Sequence, residues 1–320
     1  MIFYLCPDHP EPSWGVGMLY EHVALLRRDG FAACVLHHRR PFRPHWRTLD
    51  EPVVYLDDRD HSPTADDLLV VPEILAATDA AVTFPGRRIV FVQGSFLVLR
   101  GLGGRDGYPD LGYRAAMAVL PHVAHVVERH FGLGATLIPP FVAPLFFERH
   151  ETERREQRVL LVSKPGYAAA GLPDEPIAAS LLERAIARRP TWSFQVLKGM
   201  SHPEVARLMR TSELLVNVNS HEAFNSTVPE AMAAGCVPVC YEAVGGRDFL
   251  RDGENALVHS NHDVYALVER VIEIVDDFPA WSAKLERLRQ GGAATAGSFR
   301  PEATAAALAG FFGTLLRSGA

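Results

Sequence analysis

The sequence predicts an α/β protein of two consecutive open domains, each a parallel sheet covered by helices on both faces. Three observations carry that prediction. Short apolar runs alternate with stretches of helical period along most of the chain, the pattern of strand–helix–strand units. The alternation breaks at PPFVAPLFFERHETERREQR and then restarts. A length of 320 residues suits two domains of roughly 150 residues each.

The elements follow in order. Ile2–Cys6 is a buried strand ended by Pro7, and Gly15–Arg28 is a helix with apolar Val16, Leu19, Val23 and Leu26, closed by Gly30. Ala32–Leu36, Val53–Leu56, Leu68–Val71 and Ile89–Val92 are short apolar strands bounded by turn or charged residues. Ala115–Leu120 leads into a helix ending near Gly132, and Thr136–Ile138 is stopped by Pro139-Pro140. The linker falls near 141–156, where prolines, aromatics and a charged run succeed one another. The second half has strands at Arg158–Val162, Ser193–Leu197, Leu214–Val218 and Val237–Cys240, with helices at Pro176–Arg189 and Pro203–Arg210. Phe249–Val258 holds a turn and a further short strand, and the last sixty residues read as helical with a Gly/Ala-rich interruption near Gly291–Gly297. The expected domains are 1–145 and 146–300, with a C-terminal helix over 301–320 packing back on the first.

Composition removes several classes of function. Hydrophobic residues make up 48% and charged residues 22%, enough for two cores in a soluble chain. The net charge is -6 and the basic clusters are short, as in His37-His38-Arg39-Arg40, so no nucleic-acid partner is expected. Cys6, Cys34, Cys236 and Cys240 form no CxxC pair and sit in apolar, strand-like context, as reduced core residues do. The N-terminus lacks a basic region and a long apolar run, and no run of 18 apolar residues occurs, which makes the cytoplasm the expected location. HExxH, GxSxG and Walker A patterns are absent. Gly15 and Gly17 lack the third glycine of a dinucleotide fingerprint, Tyr20 standing there, and the next strand ends in His37-His38 rather than an acid.

The stretch SHEAFNSTVPEAMAAG, residues 220–235, carries the chemistry. Ser220–Asn225 is the loop at a strand's carboxyl end, and Thr227–Ala234 is the helix after it, with Ser226 as the expected N-cap and Pro229 in the first turn. The free amides of that first turn suit an anion such as a diphosphate. Glu230 lies one turn in, where a carboxylate can accept hydrogen bonds from a sugar diol. Glu222, in the loop, can reach a second polyhydroxylated group. Singly, each glutamate is as well read as a dipole-favoured or solvated side chain; their meeting at one loop–helix junction argues for function.

The spaced pattern Glu222, Phe224, Pro229–Gly235, Pro238-Val239, Gly245-Gly246, Asp252-Gly253 and Asn255 resembles the retaining glycosyltransferases of GT-B fold, most closely their family 4 group. The opening, YLCPDHPEPSWGVGMLYEHVALLRRDGFAACVLHH, resembles a polysaccharide-type subgroup with rhamnosyltransferase-like members. The resemblance implies two facing Rossmann-like domains with an interdomain cleft. It implies transfer of a hexosyl or deoxyhexosyl group from a nucleotide-diphosphate donor, with retention, to a glycan, lipid-linked or small-molecule acceptor. By matching positions, Glu230 would bind ribose hydroxyls, Glu222 the donor sugar, and the amides of Thr227 and Val228 the diphosphate, with Phe224 and Asn225 lining the donor. No metal is expected, because cationic side chains and a helix N-terminus neutralise the leaving phosphate.

The sequence departs from that pattern at three places. Ala223 and Asn225 stand where the family usually has glycine beside the aromatic, and Ser163 stands where it has an arginine, leaving Lys164 as the phosphate-side cation. Lys198 is a candidate near the base, and Arg247 a candidate replacement cation. In the amino-terminal half, Gly15 and Gly17 form the candidate glycine loop, and Glu73 and Gln93, each after a strand, are candidate acceptor or sugar contacts. His37 and His38 are read as surface histidines. Two other functions compete: a nucleotide-sugar epimerase on the same fold, which would act on donor alone, and a non-catalytic nucleotide-sugar binding protein, which would show no turnover.

Overall fold

The computed structural model describes residues 1–11, 13–45, 50–58, 63–163 and 174–317. The chain divides into two compact units, Met1–Pro140 together with Glu302–Ala320, and Phe141–Pro301.

In the first unit β1 (Ile2–Leu5), β2 (Ala33–His37), β3 (Val53–Tyr55), β4 (Leu68–Pro72), β5 (Arg87–Val92), β6 (Ala115–Ala118) and β7 (Ala135–Leu137) form one sheet in the order β3-β2-β1-β4-β5-β6-β7. Every pairing is parallel. The helices are α1 (Trp14–Arg28), α2 (Asp79–Val82), α3 (Val98–Leu102) and α4 (Pro121–Phe131). β1 and β4 are buried along their whole length, as strands covered on both faces must be. The order reverses between β1 and β4, so the carboxyl ends of those two strands flank the switch point at which such sheets bind ligands.

The second unit repeats the plan with β8 (Glu156–Val162), β9 (Ser193–Leu197), β10 (Ser212–Asn217), β11 (Val237–Tyr241) and β12 (Leu257–His259), in the order β12-β11-β10-β8-β9, again all parallel. Its helices are α5 (Asp174–Ile186), α6 (His202–Arg210), α7 (Thr227–Ala234), α8 (Val264–Asp276) and α9 (Phe278–Gly297). Val159, Leu161, Leu214, Val216, Val237 and Val239 from the strands pack with Leu182, Leu267, Val271 and Leu285 from the helices in one buried cluster. Here the switch point lies between β8 and β10.

The expected Gly/Ala interruption near Gly291–Gly297 does not occur: α9 runs unbroken to Gly297. Two of its glycines serve packing instead. A Cβ on Gly291 would lie 2.1 Å from the Glu254 carbonyl oxygen, and one on Gly292 would lie 3.2 Å from Met232 Cγ in α7. Bare backbone on that face lets the helix sit close to its neighbours. After it comes α10 (Pro301–Arg317), most of which belongs to the first unit. Thr304 Oγ1 donates to the Pro139 carbonyl at 2.7 Å, Arg87 donates to the Leu315 carbonyl at 2.8 Å, and the fully buried Phe312 ring lies 6.4 Å from that of Tyr4. Among the described residues no helix is long and apolar enough to cross a membrane. All four cysteines are buried and free.

Candidate functional site

Sheet and helix of the second unit meet at the carboxyl end of β10. That strand ends in Asn217, a fully buried polar residue at the tip of an apolar run. Burying an amide is costly unless its groups are paired, and Asn217 pairs both. Its Nδ2 donates to Asn225 Oδ1 at 2.9 Å, and its Oδ1 accepts from the Asn219 amide at 2.9 Å. Asn219 Oδ1 in turn accepts from the His221 amide at 3.1 Å. The 217–225 loop is thus closed at its base by asparagine side chains. Asn225 is left-handed, with φ 51°, a conformation asparagine tolerates better than most residues.

The loop is also pressed from outside. The Gly245 amide donates to the Glu222 carbonyl at 3.1 Å, and a Cβ on Gly245 would lie 1.4 Å from the Ala223 carbonyl oxygen. Only glycine allows that approach, so Gly245 fixes the backbone on which Glu222 is carried. Glu222 is half-buried.

α7 starts directly after the loop. Ser226 is already helical (φ -48°, ψ -31°) and makes no side-chain cap, against the expected N-cap. The Val228 amide is also taken, donating to the Asn225 carbonyl at 3.0 Å, which corrects its expected role toward a diphosphate. The Thr227 amide has no acceptor among the described residues. Glu230, 9% exposed, stands in the first turn, where the helix dipole favours a carboxylate. At the other end Gly235 (φ 77°) caps the helix, and Arg149 donates to the Ala233 carbonyl at 2.9 Å. All eight residues of α7 are buried; its small side chains let it sit deep in the unit.

The remaining candidates divide. Phe224 is 2% exposed and packs in an aromatic triangle, 6.0 Å from Phe249 and 5.1 Å from Phe299; its ring anchors the loop inward rather than lining a donor. Arg247 is exposed and donates from Nε to the Val244 carbonyl at 2.9 Å, within its own turn. Lys198 is exposed just past the edge strand β9, two strands from β10. Lys164 lies outside the described residues.

In the first unit, Gly15 and Gly17 stand inside the first turns of α1 and not in a loop before it. Ser13 is the N-cap, its hydroxyl accepting from the Val16 amide at 3.4 Å, so the bland helix-start reading is the one the geometry supports. Glu73 is 3% exposed and turned inward. Its two oxygens accept from the Gln93 and Gly94 amides at 3.1 and 2.8 Å, and burial pushes its carboxyl up to about 7 against the pull of those bonds. Gln93 Nε2 donates to the Gly15 carbonyl at 3.0 Å. Glu73, Gln93 and Gly15 therefore meet at the switch point of the first sheet, with Glu73 as a brace and Gln93 and Gly15 half-exposed. His37 is fully buried rather than on the surface; its Nδ1 pairs with Asp8 at 2.8 Å and its Nε2 with the Tyr20 hydroxyl at 2.7 Å. Burial holds its pKa down despite Asp8. Nothing local announced that network; the signals were a histidine ending an apolar strand and an asparagine, Asn217, ending another.

Residues 166–293 match the family model for glycosyl transferases group 1. Among solved structures the chain is similar to HepE from Anabaena in complex with UDP, at 14% identity over 98% of this chain and 99% of that one, with a TM-score of 0.71. It is as similar to a sucrose-phosphate synthase from Thermosynechococcus elongatus, at 13% identity over 99% of both chains and a TM-score of 0.71. It is also similar to TarM from S. aureus, solved with fondaparinux, alpha-GlcNAc-glycerol and UDP, at 10% identity over 78% of this chain and 56% of that one, with a TM-score of 0.60. None of the curated proteins matches it in sequence. Two all-parallel α/β units and these structural neighbours define the GT-B fold. With a group 1 domain over its second unit, the chain is a glycosyltransferase.

Proposed function

We propose that this glycosyltransferase moves a sugar from a nucleoside diphosphate to a glycan, lipid-linked or small-molecule acceptor, in the cytoplasm, with retention at the anomeric carbon and without a metal. The observation that carries the reading is the junction of β10 and α7. A loop locked by Asn217, Asn225 and Gly245 holds Glu222. The helix head beside it presents Glu230 and the Thr227 amide. Glu230 accepts from the ribose diol, Glu222 from hydroxyls of the transferred sugar, and the helix N-terminus receives the charge that builds on the departing diphosphate. The bond from the anomeric carbon to the diphosphate oxygen breaks, and the acceptor oxygen enters on the same face, its proton passing to the departing diphosphate. HepE has been solved with UDP and with UDP-glucose, which makes uridine nucleotides the first donors to try.

Calorimetry and thermal shift with nucleoside diphosphates and nucleotide sugars, with and without EDTA, test this. One nucleotide family should raise the melting temperature by mass action, EDTA should leave the shift unchanged, and Glu230→Ala should weaken binding about tenfold, the worth of a charge-assisted bond. A folded protein that binds none of the panel sinks the proposal.

A further inference from the structure

A chain of polar side chains runs behind the Glu222 loop. Asp174, at the start of α5, is 8% exposed. Its Oδ2 receives the Tyr241 hydroxyl at 3.1 Å and His262 Nδ1 at 2.9 Å. His262 Nε2 lies 3.5 Å from Ser220 Oγ, and Ser220 Oγ lies 2.7 Å from His221 Nδ1. The carboxylate can only accept, so His262 donates from Nδ1, and in the neutral imidazole this leaves the lone pair at Nε2. The Ser220 hydroxyl donates into that lone pair and is left to accept from His221. Every bond then has one donor, and the chain joins the ends of β10, β11 and β12 to the head of α5. His262 is held at φ 69°. A left-handed histidine costs free energy that the surroundings must offset, and such strain gathers where geometry matters.

We propose that His262, oriented by Asp174, is a positioning residue: through Ser220 and His221 it sets the backbone that carries Glu222 at its catalytic height. The order Ser–His–Asp does not make Ser220 a nucleophile here, because Ser220 is 5% exposed and its oxygen is engaged by His221. The kinetic half of the proposal rests on the reading of Glu222 as the sugar contact; the structural half does not.

Two substitutions separate position from fold. His262→Asn keeps an N–H toward Asp174 and tolerates the left-handed backbone, but is too short for Ser220. His262→Gly relieves the strain and removes both bonds. In hydrogen exchange on the full chain, the Asn219 and His221 amides should exchange about tenfold faster in either variant, while amides 231–234 of α7 keep wild-type protection. With UDP-glucose as probe, kcat should fall about tenfold at unchanged KM, since misplacing one catalytic group acts on the transition state. Ser220→Ala should reproduce both effects. Wild-type exchange at 219 and 221 overturns the proposal, and so does faster exchange with unchanged kcat. If the wild-type chain neither binds nor turns over UDP-glucose, that failure belongs to the donor reading, and the exchange result still decides whether His262 sets the loop.

Discussion

Two loops at the carboxyl edges of the sheets solve one problem by opposite means. In the second unit the loop after β10 is held by neutral amides, Asn217 to Asn225 and Asn219 to His221. In the first unit the loop after β5 is held by a buried carboxylate, Glu73, bridging the Gln93 and Gly94 amides. Neutral pairs keep their geometry at any pH. A carboxylate grips two donors more strongly while it is ionised, yet burial resists the charge that makes the grip. The glutamate brace thus responds to pH and the asparagine brace does not, although both sit at the carboxyl edge of a parallel sheet.

The largest break in that comparison should come from Gly245→Ala. Its Cβ would occupy the space of the Ala223 carbonyl, so the loop must shift. A loss of about 3 kcal/mol, at the upper end of overpacking costs, should appear in urea unfolding, together with lost nucleotide binding. Wild-type binding would mean that the loop absorbs the clash elsewhere.

Next in size is the pH response of Glu73. Its carboxyl is raised from 4.5 to about 7 in the folded protein, so between those values the folded state binds more protons than the unfolded one. Stability should fall as pH rises across that window, by on the order of 3 kcal/mol in all, and stay level above it. Glu73→Gln should remove this slope. It leaves an N–H facing one of the two backbone amides, so Gln93 should lose order at every pH. Parallel stability curves for the two proteins from pH 4.5 to 7 would contradict the assignment.

The smallest effect sharpens the other side. Asn225→Ala removes the Asn217 bond and puts alanine at positive φ; about 2 kcal/mol should be lost, independent of pH between 5 and 8. Asn225→Gly loses the bond but fits the backbone, and should cost about 1 kcal/mol. Equal losses in the two variants would show that the conformation carries no strain.

Much of the fold was legible because each strand is a short apolar run with turn residues at both ends. The Glu222–Glu230 junction was legible because it is local: strand, loop and helix follow one another without interruption from Ser212 to Ala234. What could not be read is whatever depends on a partner far along the chain. Asp174 meets His262 across 88 positions, and Asp8 meets His37 across 29. His37 looked like a surface residue because its neighbours His38, Arg39 and Arg40 are; only the register of β2 turns it inward. Gly291 and Gly292 looked like a break because intrinsic helix propensity counts against glycine, whereas tertiary packing required a bare helix face.

The return of α10 to the first unit also bears on how the molecule is made. Tyr4, Arg87 and Pro139 all wait for partners between Thr304 and Leu315. Domains generally fold as units during synthesis, the amino-terminal one first. In this chain the second unit is continuous in sequence and can close as it emerges from the ribosome, whereas the first stays without its last helix until the second has been translated. Translation and completion therefore run in opposite orders: the unit whose first strand is made earlier is the one completed later.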